Sequence, residues 1–162
     1  KGYVTTTGGG RIKRLYKVTM RKQRPRDPGM FDIINKYSPM KLAEWYDHQV
    51  HGHYGPEEAI VDAIQTGSFR AILTSTRLLQ HITEWPKLHR LAVERGMWQK
   101  VGAVYDVARM YFRIARMPKR YHHAGFRQWQ QLTQLRKVNF PEIANKWRVY
   151  ISFNEKDMEE VA

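Results

Sequence analysis

The segment 97–120 constrains the fold of this chain more than any other. Placed on a helix at roughly 100° per residue, Val101, Val104, Val107, Ala108, Tyr111, Phe112, Ile114 and Ala115 spread apolar surface over more than half of the circumference. A helix of that kind must be surrounded, so the rest of the chain has to supply elements that pack around it. One narrow sector is polar. It holds Arg109, Arg113, Arg116 and Arg120 at spacings of four, three and four, which on a continuous helix form one row of guanidinium groups. Asp106 stands three residues before Arg109 and is placed to pair with it, and no acid follows for the others. Such a row is either the solvated edge of a core helix or a surface for phosphates, whose geometry guanidinium forks match.

Charge decides in favour of phosphates. The chain of 162 residues is long enough for one domain with its own core. It carries 28 Lys and Arg against 15 Asp and Glu, a formal +13, which calls for an anionic partner such as nucleic acid or an acidic membrane surface. The excess lies in two blocks. Residues 1–26 have nine basic groups and no acid, and residues 109–148 have ten basic groups and one acid. Residues 27–108 hold eight basic and ten acidic groups, and residues 149–162 one basic and four acidic.

No cysteine is present, which removes disulfides, thiolate zinc sites and thiol nucleophiles. No run approaches the roughly 20 apolar residues of a membrane span, and no apolar signal-type stretch opens the chain, so a soluble or peripheral protein is expected. The chain begins at Lys1 rather than Met, which suggests either processing, for which organelle import is one reason, or an incomplete sequence.

Taken in order, residues 1–30 read as a basic extended arm with a glycine triplet, in which 11–20 partly alternate and suit a short strand where another edge is offered. Residues 31–153 read as a helical domain. Ser38 and Pro39 signal a helix start, with Leu42, Trp45, Tyr46 and Val50 on its apolar face and Gly52 as its stop. Gly55-Pro56-Glu57-Glu58 opens a second helix that ends at Gly67. Ser68 caps a third, to about Ile82, and Trp85-Pro86 opens a fourth that ends at Gly96. The central helix follows to Met117-Pro118, then a sixth over 126–138 with Trp129, Leu132 and Leu135 inward, and a short seventh after Asn139 and Pro141 that includes Trp147. The stretch from Val149 to Phe153 is β-prone, and 154–162 is an acidic tail. The expected fold is all-α, a compact bundle or irregular array of about six to seven helices with a long basic N-terminal arm and a short acidic C-terminal tail.

Motifs for catalysis are missing. Gly8 to Gly10 lack the GK[ST] sequel of a phosphate-binding loop, and the serines at 38, 68, 75 and 152 sit in no GxSxG elbow. No enzyme and no cofactor are expected. Asp47, His48, His51 and His53 resemble a ligand set, yet the Gly52 break and the lack of an HExxH pattern favour surface histidines at a helix end over a metal site.

Binding to an RNA backbone is the chemistry the pattern supports. The candidate contacts in the arm are Arg11, Lys13, Arg14, Lys17, Arg21, Lys22, Arg24 and Arg26, and in the body Arg109, Arg113, Arg116, Lys119, Arg120 and Arg127. Arg136, Lys137, Lys146 and Arg148 continue the field, and His122 and His123 belong to its basic turn. Tyr121, Trp129 and Trp147 are candidates for stacking on bases, although tryptophans in amphipathic helices are more often core. No base-reading module is present, so phosphates rather than bases are the expected targets. The expected function is a structural, rRNA-binding subunit of a large ribonucleoprotein, a mitochondrial ribosomal protein, whose near-neutral half and acidic tail meet protein neighbours. The competing expectation is an accessory subunit of a mitochondrial respiratory or ATP-synthase complex.

Overall fold

In a computed structural model of the protein, residues 4–10, 12–18, 27–50, 52–122 and 125–162 are described. The expectations for Arg11, Arg21, Lys22, Arg24, Arg26, His51 and His123 lie outside the described residues.

Glycine and proline punctuation sets the middle of the chain. Helix α2 (Pro56–Gln65) starts after Gly55, whose N–H donates to the Glu58 carboxylate at 3.0 Å, and it buries Ala59, Ile60, Val61, Ala63 and Ile64. Ser68 Oγ accepts from Ala71 N–H to begin α3 (Phe69–Ser75), which tightens into a 3-10 segment, Thr76–His81. Helix α4 (Trp85–Glu94) has Pro86 in its first turn. The start of α4 is fixed from a distance. Glu57, only 3% exposed, accepts from the backbone N–H of both Thr83 and Glu84 at 3.0 Å, giving two donors at the helix start an internal partner.

Helix α5 (Trp98–Tyr111) is the surrounded helix that the apolar pattern demands. Val101, Gly102, Ala103, Val104, Tyr105, Val107 and Ala108 are all buried, and the helix packs against α2, α4, the 3-10 segment and the C-terminal elements. It ends, however, well before Arg120. Phe112 turns extended, and residues 113–118 run without regular structure to a 3-10 turn, Lys119–Tyr121. The tertiary partners of this stretch explain the change. Met117 is fully buried and its N–H donates to the Tyr105 hydroxyl at 2.7 Å, so the chain is held back against α5, and Pro118 disfavours a helical Met117. The single helix expected over 97–120 is corrected accordingly.

Two other expected helices are absent. Helix α1 (Met30–Tyr37) precedes Ser38, and 38–50 is irregular. A Gly29 and Asp32 capping pair, with Gly29 N–H donating to the carboxylate at 2.9 Å, starts α1, and the Asn35 side chain holds Leu42 by both of its backbone groups. Residues 126–138 are likewise not helical. Gln130–Gln131 form β3, parallel to β4 (Val149–Tyr150), with Gln130 opposite Val149 and Gln131 opposite Tyr150. Arg148, at a left-handed φ of 53°, ends α6 (Pro141–Trp147) and turns the chain into β4.

The acidic segment forms α7 (Glu155–Val161), capped by Asn154, and buries Met158 and Val161 against α3 and α5. At the other end, β1 (Val4–Gly9) and β2 (Ile12–Val18) make an antiparallel hairpin. Among the described residues the protein is therefore a helix-rich body of seven α-helices with two small two-stranded sheets, which corrects the all-α expectation.

Candidate nucleic-acid interface

Lys13, Arg14 and Lys17 lie exposed on β2. Cross-strand partners share a face of the ribbon, and Val4 opposite Val18 and Thr6 opposite Tyr16 define one face, with Leu15 and Lys17 on the other. The register shifts between Thr7 and Gly9, so the alternation is broken at Lys13 and Arg14. Both faces are open, with Leu15 and Tyr16 each 62% exposed. An isolated two-stranded ribbon is marginal in water, so a partner surface is what would stabilise this one.

On the body, Arg109, Arg113, Arg116, Lys119, Arg120 and Arg127 are all exposed. They do not form a straight helical row. Arg109 stands on the last turn of α5, Arg113 and Arg116 on the irregular stretch, and Lys119 and Arg120 on the 3-10 turn. Side chains three or four residues apart share a face only on a helix, so Arg113 and Arg116 leave the row that a helix would make. Arg109 lies over the Tyr105 ring, 5.6 Å from its centroid, and Arg120 over Tyr121 at 4.8 Å, so both guanidinium groups are braced by aromatic faces.

Acids do not neutralise this surface. From Val107 to Pro141 the chain has eight Lys and Arg and no Asp or Glu. Among the described residues the ion pairs involve His48, Lys87, Arg90, Arg95 and Lys146, and none of the six cations above. Asp106, expected to serve Arg109, instead accepts from Lys146 Nζ at 2.6 Å and from Trp147 Nε1 at 2.7 Å. The carboxylate is used to hold α6 on α5.

Of the aromatic candidates for stacking, two are core. Trp147 is fully buried, and Tyr121 is buried with its backbone carbonyl accepting from Trp98 Nε1 at 3.1 Å. Trp129 is half-buried, 4.8 Å from Tyr150 between ring centroids, with Arg148 over it. Among the described residues the exposed aromatics are Tyr16 on the hairpin and two rings of the 38–50 stretch. Trp45 is 50% and Tyr46 39% exposed, on the irregular stretch that the helical pattern had turned inward.

The histidine cluster is also different from the expected helix end. His48 Nδ1 accepts from Met30 N–H at 3.2 Å, and its Nε2 lies 3.2 Å from Asp62, so the ring ties the 38–50 stretch to α1 and α2. Asp62 further accepts from the Tyr54 hydroxyl at 2.5 Å and pairs with Arg95. Burial first, and then this carboxylate, push the Tyr54 phenol far above its ordinary range. Among the described residues no group of three His, Cys, Asp or Glu side chains gathers as a metal site would require.

Compared with models of known protein families, with curated proteins and with solved structures, the chain finds no match.

Proposed function

We propose that the protein is a structural RNA-binding subunit of a large ribonucleoprotein, a mitochondrial ribosomal protein that contacts the rRNA backbone. The observation that carries this is the run of exposed cations from Arg109 to Arg127 in a stretch with no acid, none of them in an ion pair among the described residues. Unpaired, single-sign charge on a fixed surface attracts a polyanion and releases its counterions on binding. Arginines dominate the run, and their planar forks suit phosphate oxygens better than lysine ammonium groups do. The hairpin, with Lys13, Arg14 and Lys17, gives the arm a second site of contact.

The acidic C-terminal end would face protein. Beside α7 an open groove of about 760 Å³ is lined by Met110, Val138, Phe140 and Ile143, together with Glu142, Glu155 and Lys156. Apolar surface of this kind fits a protein neighbour rather than a phosphate backbone.

Titration of a structured RNA at several salt concentrations tests the function. The expected result is an affinity that falls by several powers of the salt concentration. Binding to anionic vesicles with no measurable RNA affinity would instead favour the accessory-subunit alternative. Among the described residues no helix is long and apolar enough to cross a membrane.

A further inference from the structure

The groove beside α7 lies between the start of α6 and the start of α7, with the last turn of α5 as its third wall. Its apolar lining is open to solvent. Met110 is 61% exposed on the otherwise buried α5, Val138 is 47% exposed, and Phe140 and Ile143 are half-buried beside them. Single exposed apolar side chains are common, but four that converge on one groove mark a surface for a partner.

The groove is formed before anything enters it. Asn139 donates from Nδ2 to the Ser152 carbonyl and from its backbone N–H to the Ile151 carbonyl, both at 3.1 Å, which fixes the chain ahead of α6. Phe140 then takes a left-handed φ of 52°, a costly conformation for a bulky side chain, and its ring centroid lies 6.4 Å from those of both Tyr111 and Phe153. A wall held in this way loses little freedom on binding. Met110 supplies the adaptable contact, because an unbranched thioether reshapes to what it meets.

Charge gives the class of the occupant. Glu142 and Glu155 line the groove, Glu159 stands one turn beyond Glu155 on the same face of α7, and Lys156 is the one cation of the lining among the described residues. None of the three glutamates is in an ion pair among the described residues. Their field converges: burial first, and then Glu155 and Glu159, push the phenol of Tyr111, the neighbour of Met110, above its ordinary range. In a chain of formal charge +13 this is a local patch of the opposite sign. It repels a phosphate backbone, and a second copy set groove to groove would bring the same glutamates against each other.

We infer that the groove seats a protein neighbour through a segment whose apolar side chains are flanked by Lys and Arg. The apolar side chains fill the space between Met110 and Phe140, and the cations meet Glu142, Glu155 and Glu159 at the rim, where charge selects the partner. The inference rests on the reading that the acidic end meets protein, and not on the binding of RNA.

The test sets the full chain against an array of short synthetic peptides in which apolar content and charge vary independently. Binding should concentrate on peptides that carry both apolar residues and Lys or Arg, and the best of them should slow hydrogen exchange of the wild-type protein at 138–143 and 154–156. Met110→Ser with Val138→Ser should weaken that peptide roughly tenfold. Glu142→Gln with Glu155→Gln should weaken it less and flatten its salt dependence, and both double variants should bind RNA as wild type does. All four side chains stand at or near the surface, and should either variant nevertheless lose helical circular dichroism, the exchange protection of wild type decides. A best peptide that is acidic or uncharged, or protection that maps elsewhere with equal binding by wild type and both variants, overturns the assignment. Self-association of wild type that Met110→Ser with Val138→Ser abolishes also overturns it, since the occupant is then a second copy, and so does a loss of RNA affinity confined to the groove variants. Absence of RNA binding by wild type would remove the RNA-binding function, while the peptide result still decides the groove.

Discussion

The indole of Trp147 lies directly on the backbone of Gly102: a Cβ at Gly102 would sit 2.3 Å from two atoms of the ring. This contact sets the distance between α5 and α6. Trp147 is fully buried, its Nε1 donates to Asp106 one turn further along α5, and its carbonyl accepts from Gln99 Nε2 at 3.0 Å. Gly102→Ala should therefore destabilise the protein by about 1–3 kcal/mol through overpacking, even though alanine is the better helix former. Denaturant unfolding reads this, and a variant as stable as wild type would mean that α6 is not seated as described.

Glu57 offers a second test of the packing. Its buried carboxylate accepts from Thr83 and Glu84 N–H, so Glu57→Ala strands both donors and frees the start of α4. The loss should be about 1–3 kcal/mol for the unpaired groups, seen as a lower denaturation midpoint at unchanged slope. No change would contradict the link between α2 and α4.

His81 gives the fold a pH dependence. Its ring stacks on Tyr37 at 4.0 Å between centroids, and burial, then Lys36 and Arg77, lower its pKa from the ordinary 6.5. The fold thus favours the neutral ring. Stability from this source is intact above pH 6.5, declines as pH falls through that value, and levels off below the folded-state pKa. His81→Gln should flatten the stability-pH curve in that window, and an equal decline in the variant would assign it to other groups.

The residues of this chain foretell its elements unevenly, for reasons that can be traced. Helices α2, α3 and α4 were legible because Gly55-Pro56, Ser68, Pro86 and Gly96 mark their ends locally. The 112–118 stretch was not, since its apolar spacing suits a helix equally well; what unwinds it is the Tyr105 hydroxyl bonded to Met117, a contact between residues 12 apart. Residues 126–138 likewise follow a pairing with Val149 and Tyr150 that local propensity does not encode. The candidate surface was legible as charge, because exposure of arginine needs no particular fold. Its shape was not. Trp45 and Tyr46 looked like core on a helical pattern and stand exposed on an irregular one, while the signal available for α1 was the Gly29 and Asp32 capping pair.

The most direct measurement of the central claim is the salt dependence of RNA affinity after charge reversal at Arg113 and Arg116, both exposed and outside helix α5. The control must change the same charge without touching the fold. Lys87 pairs with Glu58 at 2.7 Å, and Lys41 donates to the Asn35 and Ser38 carbonyls, so neither serves. Arg70 and Arg90 are exposed, the latter with only a surface contact to Glu94 at 4.0 Å, and their double reversal to Glu is the fair comparison. If this surface faces phosphates as proposed, Arg113→Glu with Arg116→Glu should lower affinity for every RNA sequence and flatten the log-log salt slope by about one to two units, while helical circular dichroism stays unchanged. The Arg70 and Arg90 pair should alter the slope far less. Equal losses from the two pairs would contradict the account, leaving net charge, and no particular surface, as the source of RNA binding.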